Sequence, residues 1–354
     1  MVPVRTNGCT FDFSIEYQQK FLEHYLPILE NTPYVCGGTH WNFIDFSSAL
    51  RDESMPRINN KGLAYSDRTP KDVFYYYKAA WRKDIPVLHI ASRDWIYRTG
   101  IQQGDSSVLL PVKIYTNLPE VELSIDGKSL GRQQVDNYTA IFKAPFSSKE
   151  PLLLVQGNYQ GTTVQDGIKV HFTPIPTNLN STGLKDLELA VNVGSQCFYT
   201  SDESLLTWLP DQPYTKGSWG YIGGKELSTQ TEIRRTADGP LFQTLRNGIE
   251  GYRFDVPRGV YEVELLFTDI FLQNEGIAYQ LGREGEQKSR ENTFGISVNG
   301  KMLEEKLSPC KESGYCQAMR KKYIITNDTD HIDIRFHPAS GTCFLNGIKL
   351  RNIH

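Results

Sequence analysis

The spacing of cysteine and histidine residues decides whether this chain of 354 residues could bind a metal or form disulfides. No C-x-x-C pair occurs, and no histidine cluster lies beside Cys310 and Cys316, whereas a zinc site needs four such ligands close together. We therefore expect no metal and no cofactor. Buried free thiols are expected, with a disulfide between two of Cys310, Cys316 and Cys343 as the alternative in an oxidising compartment. His40 is the one histidine expected near a reactive site.

A second group of chemically capable residues is aromatic. A stretch rich in glycine and proline carries four of them: Trp208, Tyr214, Trp219 and Tyr221. The stretch has the texture of a loop rather than of a periodic strand, and loop aromatics are candidates for contact with a ligand. Packing at the end of a domain, or against a neighbouring domain, is the alternative role for the same rings.

Composition excludes several classes of protein. The chain has 38 basic and 41 acidic side chains, so its net charge of −3 argues against a strongly basic nucleic-acid-binding protein or a polybasic membrane-surface protein. Hydrophobic residues make up 39%, which is enough for packed cores. No apolar run approaches the roughly 18 residues that span a bilayer, and the sequence after Met1 lacks the apolar stretch of a secretory signal.

Residues 1–92 contain the helical signals. Ser14 is expected to cap one helix, and the Thr-Pro pair at 69–70 is expected to open a second. Between them, residues 34–36 and 41–46 predict a buried strand and its exit. The order helix, strand, long loop, helix is about one and a half α/β units, which cannot close a core alone.

The rest of the chain is predicted to be β. Hydrophobic residues alternate with polar ones before an Asp-Gly turn at 126–127, which is typical of a small immunoglobulin-like sandwich over residues 93–178. The same alternation precedes an Asn-Gly turn at 299–300 and predicts a larger, jelly-roll β-sandwich over residues 187–354. The predicted fold class is thus mostly β, with three domains.

Several motifs in the first two segments resemble a known family. Residues 37–46 read GGTHWNFIDF, residues 59–63 read NNKGL, and residues 67–71 read DRTPK. This set resembles the eighth strand of the TIM barrel, and the segment after that strand, in glycoside hydrolase family 2. That family includes β-galactosidases, β-glucuronidases and β-mannosidases. The sequence VELSIDGKSLG at 121–131 looks like the sandwich that follows the barrel in bacterial β-galactosidases, so residues 1–92 would be a barrel remnant.

This resemblance implies roles for two groups of residues. Trp41 would wall the sugar subsite, because aromatic rings suit the apolar face of a pyranose. Asn42 and Asp45 would order the site or bind sugar hydroxyls, with an ion pair between Asp45 and Arg68 as the structural alternative.

A further implied role is recognition of a carboxylate. Asn59 and Lys61 match the N-x-K pattern with which β-glucuronidases hold a sugar carboxylate, since a cation and an amide donor suit that group. Closely similar sequences also occur in β-galactosidases of this architecture, so the substrate stays open.

The resemblance also implies which catalytic residues to look for. Retaining glycosidases need two carboxylic acids about 5 Å apart. In this family both lie on earlier barrel strands, and we expect them upstream of Met1. Glu16 and the Asn-Glu pair at 274–275 resemble the two catalytic motifs, but they fall in a predicted first helical turn and in the last domain. This chain alone is therefore expected to be inactive in glycoside hydrolysis.

The last segment resembles the malectin family of carbohydrate-binding modules. The resemblance rests on VNVG at 191–194, PLFQTLR at 240–246, YEVELLFTD at 261–269 and FGISVNG at 294–300. Malectin carries a Tyr-Phe pair just after the third motif, and Phe271 keeps one of these aromatic rings. Malectin-type modules bind sugars with aromatic residues on loops, and this sequence has its own aromatic residues for that role. The candidate sugar contacts are therefore Tyr199, Trp208, Tyr214, Trp219, Tyr221 and Phe271.

These resemblances imply a first hypothesis and two alternatives for function. The first is the C-terminal portion of a β-galactosidase-like hydrolase that retains carbohydrate binding. A β-glucuronidase or other exo-β-glycosidase fragment is the nearest alternative, and a stand-alone carbohydrate-binding or purely structural module is the other. The implied partners are an oligo- or polysaccharide and the missing N-terminal part of the same enzyme. The implied location is the cell envelope, periplasm or exterior of a bacterium.

The barrel remnant leads to one packing expectation. Five aromatic side chains would need cover: Trp41, Phe43, Phe46, Tyr76 and Trp81. Exposing each costs about 1.5–3 kcal/mol, so we expect them to bury against the adjacent sandwich or against a second copy in a dimer.

Overall fold

The computed structural model describes residues 14–49, 57–102, 107–180, 187–201, 204–271 and 291–353. The chain divides into two compact units, one of Met1–Pro176 with Leu205–Thr207 and one of Thr177–Ser204 with Trp208–His354. The fold is mostly β, as predicted. Within the described ranges, no helix is both long and apolar enough to cross a membrane. The division into three domains stays a prediction.

The described residues of the first unit form two helices and eleven strands. The helices are α1 (Ile15–Asn31) and α2 (Asp72–Trp81). The strands are β1 (Phe46–Ser47), β2 (Ile58–Asn59), β3 (Leu88–Ile90), β4 (Tyr97–Ile101), β5 (Val108–Thr116), β6 (Glu120–Ile125), β7 (Lys128–Gln134), β8 (Thr139–Phe146), β9 (Leu152–Tyr159), β10 (Thr162–Lys169) and β11 (His171–Ile175).

Helix α1 begins as predicted, and α2 does not. The Ser14 hydroxyl caps α1 by accepting a hydrogen bond of 3.0 Å from the Tyr17 amide. Helix α2 begins at Asp72, with Lys71 as its N-cap residue. The prediction that residues 69–70 open this helix is wrong, because Pro70 forms an isolated bridge with Ala64 and so belongs to the preceding loop.

The predicted buried strand at 34–36 is also wrong. This segment forms no ladder, and Tyr34 is 90% exposed. A strand is held by hydrogen bonds to a neighbouring strand, and within the described residues none lies beside this segment. Only the last residue of the 41–46 stretch, Phe46, enters a strand, where it pairs with Asn59 of β2.

The sandwich of the first unit is built as its alternation predicted. Strands β10, β9, β6 and β7 form one sheet, β3, β5 and β8 form another, and β4 and β11 pair in parallel. Every second residue of β6 is buried. Asp126 and Gly127 both have positive φ, which is the backbone of a tight hairpin turn.

The aromatic side chains of the barrel-like segment divide into two groups. Tyr76 is fully buried and its ring lies 5.3 Å from that of Tyr115 on β5, so its predicted burial against the sandwich is confirmed. The other four remain exposed in this chain, contrary to the expectation of burial against the sandwich: Trp41, Phe43, Phe46 and Trp81. Trp41, Phe43 and Phe46 lie on or just before the two-residue strand β1, which pairs with the two-residue strand β2, and Trp81 is the last residue of α2.

The second unit is a two-sheet sandwich. Its strands are β12 (Glu188–Asn192), β13 (Tyr199–Thr200), β14 (Thr207–Pro210), β15 (Trp219–Ser228), β16 (Thr244–Phe254), β17 (Gly259–Phe267), β18 (Thr293–Val298), β19 (Lys301–Leu307), β20 (Met319–Asn327), β21 (Ile332–Ser340), β22 (Phe344–Leu345) and β23 (Gly347–Asn352). Two short helices are α3 (Gly239–Phe242) and α4 (Pro309–Ser313).

The two sheets of this unit enclose an apolar core. One sheet has the strand order β13-β14-β12-β23-β17-β20, and the other has β15-β16-β21-β18-β19 with β22 on β16. Phe267, Phe294 and Phe344 meet in the core with ring centroids 5.5–6.4 Å apart. The predicted turn after β18 is present, with positive φ at Asn299 and Gly300.

Four cysteines in the described ranges are free thiols: Cys36, Cys310, Cys316 and Cys343. The expectation of free thiols is thus confirmed for these four and is wrong for Cys197, which is disulfide-bonded. The expectation of burial holds for Cys343 and is wrong for Cys36, which is exposed.

Candidate functional site

Helix α1, the segment 35–41 that follows it, residues 60–61 and α2 line an open groove of about 1060 Å³. Trp41 lies on its wall with 69% of its surface exposed, and its ring meets that of Phe46 edge-on at 6.3 Å. The peptide bond between Trp41 and Asn42 is cis. The Asn42 side chain is buried and donates a hydrogen bond to the Ile44 carbonyl, so it orders this turn.

Asp45 is a buried organising residue. Only 2% of it is exposed, and its Oδ1 accepts hydrogen bonds of 2.8 Å from Lys71 Nζ and 2.9 Å from the Gly62 amide. The predicted alternative partner, Arg68, is instead exposed. Burial raises the pKa of Asp45 and lowers that of Lys71, while the contact between them opposes both shifts.

The N-x-K motif lies on the loop that Asp45 holds. The Asn59 side chain is buried and accepts a 3.3 Å hydrogen bond from the Lys61 amide. Lys61 is exposed and lines the groove that Trp41 also lines. Its carbonyl accepts hydrogen bonds from Gln18 Nε2 at 3.1 Å and from the His40 ring at 2.9 Å. The structure therefore brings His40 beside the predicted site.

This arrangement can bind a sugar, but the described part of the chain shows no pair of carboxylic acids for hydrolysis. Trp41 and Lys61 line one groove, and an aromatic residue beside a lysine suits an anionic sugar. Glu16 lies in the first turn of α1, as predicted. The Asn-Glu pair at 274–275 lies outside the described residues. No cluster of potential metal ligands occurs among the residues that the structure describes.

In the second unit, the prediction that the aromatic stretch is a loop is wrong at Trp208, Trp219 and Tyr221, the last of which also lies on β15. Trp208 lies on β14 and Trp219 on β15, and both are buried. Gly220 contributed to the loop prediction but has a different role. A Cβ at this position would lie 2.4 Å from the Tyr214 amide nitrogen. The glycine therefore marks close approach of two backbone segments rather than a free loop.

Tyr199, a third predicted contact, also lies in the core. It is on β13, is 1% exposed, and its hydroxyl donates a 2.9 Å hydrogen bond to Asp238. For Tyr199, Trp208 and Trp219 the packing role is therefore what this structure shows, because a buried ring offers a ligand no surface.

Three predicted contacts keep some exposed surface. Tyr221 is half-buried, as is Tyr214, whose hydroxyl donates to Asp255 at 2.7 Å. Phe271 is half-buried and packs on Phe344 at 5.5 Å. These rings can still meet a glycan.

Sequence reasoning missed the ion pair that supports Tyr221. The Arg246 guanidinium carbon lies 3.2 Å from the Tyr221 ring centroid, and Arg246 Nε donates to Asp211 at 2.9 Å. Both charged side chains are almost completely buried. Asp211 also accepts from the Gly194 amide at 2.9 Å and from the Tyr252 hydroxyl at 3.2 Å. The one available signal was an arginine at the end of the otherwise uncharged motif PLFQTLR.

Each of the two β-rich segments matches a protein-family model. Residues 187–350 match the malectin domain, and residues 108–162 match a domain of unknown function, DUF4982. Among curated proteins, a putative β-glucuronidase of Formosa agariphila is 33% identical over 184 residues, which cover 49% of this chain and 21% of that protein. A β-glucuronidase of Bacteroides fragilis is 37% identical over 116 residues, covering 32% of this chain and 16% of that protein.

A solved structure matches almost the whole chain. It is Bacteroides uniformis β-glucuronidase 2, covalently bound to cyclophellitol-6-carboxylate aziridine. The two sequences are 72% identical, with a TM-score of 0.90, over 99% of this chain and 40% of that one. The chain thus spans less than half the length of these relatives. It corresponds to a C-terminal region of the glycoside hydrolase family 2 enzymes and carries a malectin domain.

Proposed function

We propose that this chain supplies the carboxylate-recognising part of a β-glucuronidase, an exo-β-glycosidase that removes terminal glucuronic acid. One observation supports this choice above the others: the exposed Lys61 of the N-x-K motif lines the same groove as Trp41. Because the B. uniformis enzyme, 72% identical over nearly all of this chain, reacts with a 6-carboxylate reagent, glucuronide is favoured over the galactoside of the first hypothesis.

In this proposal, each residue has a separate task. Trp41 covers the apolar face of the sugar ring, and Lys61 pairs with its carboxylate. Asn59 fixes the backbone of Lys61 through the amide contact, and Asn42 and Asp45 order the strand end without meeting the sugar. The bond cleavage itself requires two carboxylic acids, which we assign to other parts of the enzyme.

The test compares three substrates in the complete gene product that contains this chain. Replacing Lys61 by Met should lower kcat/KM for 4-nitrophenyl β-D-glucuronide by about 10- to 150-fold, since a hydrogen bond to a charged group contributes about 1.5–3 kcal/mol. Values for the matching glucoside and galactoside should change by less than about threefold. Lys20, exposed on α1, provides the matched control as Lys20→Met. A wild-type preference for the galactoside would refute the proposal.

We propose a second, binding function for the malectin domain, with an oligosaccharide as the ligand. Tyr221 supports it, because its ring keeps exposed surface while Arg246 holds it from behind. Calorimetric titration with oligosaccharides should show heat that Tyr221→Ala removes. Binding unchanged by that substitution would place the ligand elsewhere.

A further inference from the structure

The buried pair of Lys71 and Asp45 lies beside the N-x-K loop and has no surface with which to meet a sugar. We propose that Lys71 is a positioning residue that sets the preference for a uronic acid over a neutral sugar. It does so by fixing the backbone on both sides of Lys61. This inference rests on the proposed function and names a further determinant of its specificity.

The Lys71 ammonium joins the strand end to the loop. Its Nζ donates to Asp45 Oδ1 at 2.8 Å and to the Asn60 carbonyl at 2.8 Å. It also lies 5.1 Å from the centroid of the Tyr65 ring. With two hydrogen bonds and an aromatic face around it, the ammonium has one well-defined position.

The same ion pair reaches the other side of Lys61. Asp45 Oδ1, which accepts from Lys71, also accepts from the Gly62 amide at 2.9 Å. The Asn60 carbonyl belongs to the peptide group before Lys61, and the Gly62 amide belongs to the one after it. Both peptide groups that flank Lys61 are therefore held by a single ion pair.

Glycine at position 62 makes this close approach available. A Cβ on Gly62 would lie 2.4 Å from the Asp45 amide nitrogen and 2.6 Å from Asp45 Oδ1. Real Cβ atoms do not approach so closely, so any side chain would push the loop away from the ion pair. The residue between Lys61 and Leu63 thus has a geometric reason to be glycine.

Positioning explains why charges are buried here. Burying an ion pair gains little stability over a well-packed apolar pair, and its value then lies in the geometry that it specifies. Lys61 carries its charge on a flexible four-carbon chain, so binding a carboxylate requires that chain to be ordered. A fixed backbone at Lys61 reduces the number of positions that its ammonium samples before the sugar arrives.

The test uses Lys71→Met in the complete gene product, with Lys20→Met as the control. We expect kcat/KM for the glucuronide to fall about 10- to 100-fold, mainly through KM, while that for the matching glucoside stays within about threefold. Hydrogen exchange supplies a readout that does not depend on turnover. The amides of Lys61 and Gly62 should exchange faster in Lys71→Met than in Lys20→Met.

A second variant keeps the test decisive if Lys71→Met does not fold. Asp45→Asn retains an oxygen acceptor for both donors but removes the charge, so its glucuronide-to-glucoside ratio should fall by about threefold. An unchanged ratio in the folded variants, with a wild type that prefers glucuronide, would overturn this inference alone. A wild type without that preference would instead refute the proposed function, and this inference with it.

Discussion

Replacing Arg246 by Met should destabilise the second unit strongly. The substitution removes the cation from the buried pair with Asp211 but leaves the carboxylate in place. Asp211 then keeps the hydrogen bonds from the Gly194 amide, the Gln212 amide and the Tyr252 hydroxyl. Tyr221 also loses the guanidinium on which its ring rests.

The size of the effect depends on the charge that stays buried. Removing one partner of a buried ion pair costs about 3–5 kcal/mol, because the other charge is left uncompensated. Three remaining hydrogen bonds place Arg246→Met near the lower end, and loss of the cation–π contact adds about 0.5–1 kcal/mol. We expect about 3–4 kcal/mol. With a denaturant slope of about 2 kcal/mol/M, the urea midpoint should fall by about 1.5–2 M.

The loss of stability caused by Arg246→Met should be smaller at acidic pH. Burial raises the pKa of Asp211 above its usual 3.8, so the folded state binds more protons than the unfolded state between these two pKa values. A group whose pKa is higher in the folded state adds stability as the pH falls through that pKa. Without Arg246, which opposes this rise, the pKa of Asp211 rises further. Lowering the pH from neutral should therefore bring Arg246→Met closer to the wild type.

Urea titration followed by tryptophan fluorescence measures these shifts, because Trp208 and Trp219 are both buried in this unit. The double variant Asp211→Asn with Arg246→Met removes both charges and should recover most of the loss. Arg351, an exposed residue that pairs with Glu262 at 3.4 Å, provides the control as Arg351→Met. A midpoint for Arg246→Met that matches this control, or a deficit that grows in acid, would refute the reasoning.

Two further predictions concern single side chains. Trp219→Ala should lower the free energy of unfolding in urea by about 3–5 kcal/mol, because it leaves a cavity at a side chain that is 0% exposed. Trp41→Ala should change that free energy by less than about 1 kcal/mol. Equal losses for the two variants would contradict the assigned burial. Burial raises the pKa of the Cys343 thiol to about 11, so a thiolate-selective disulfide reagent at pH 8 should label the exposed Cys36 quickly and Cys343 only after unfolding; comparable native rates, measured by mass spectrometry of peptides, would count against this placement.

Local patterns predicted the strands and hairpins well. Alternation on β6 and the turns at 126–127 and 299–300 depend on neighbouring residues alone, and the structure has them where they were expected. The Ser14 cap is local in the same sense. The strand expected at 34–36 failed because a strand is completed by its neighbours, and no residue type within the segment reports whether a neighbour is present.

The sequence predicted which residues form the site, but not which side chains contact each other within it. Asp45 was expected to order the strand end, yet its cation proved to be Lys71 rather than Arg68. Both cations follow the same loop, three residues apart, and only the path of the chain decides which one turns inward. The prediction that the two buried tryptophans lie in a loop failed for a similar reason. A glycine can equally mark a loop or a close approach of two backbone segments.

The parallel pairing of β4 with β11 has a mechanical consequence. β4 precedes β5, β11 follows β10, and the two strands run in the same direction over five paired positions. Tension that draws the chain outward at both ends would pull the two strands in opposite directions along their shared axis. Their hydrogen bonds would then be loaded together in shear, instead of opening one after another as in an unzipped hairpin. The pair is therefore placed to act as a clamp that resists stretching of the sandwich between them.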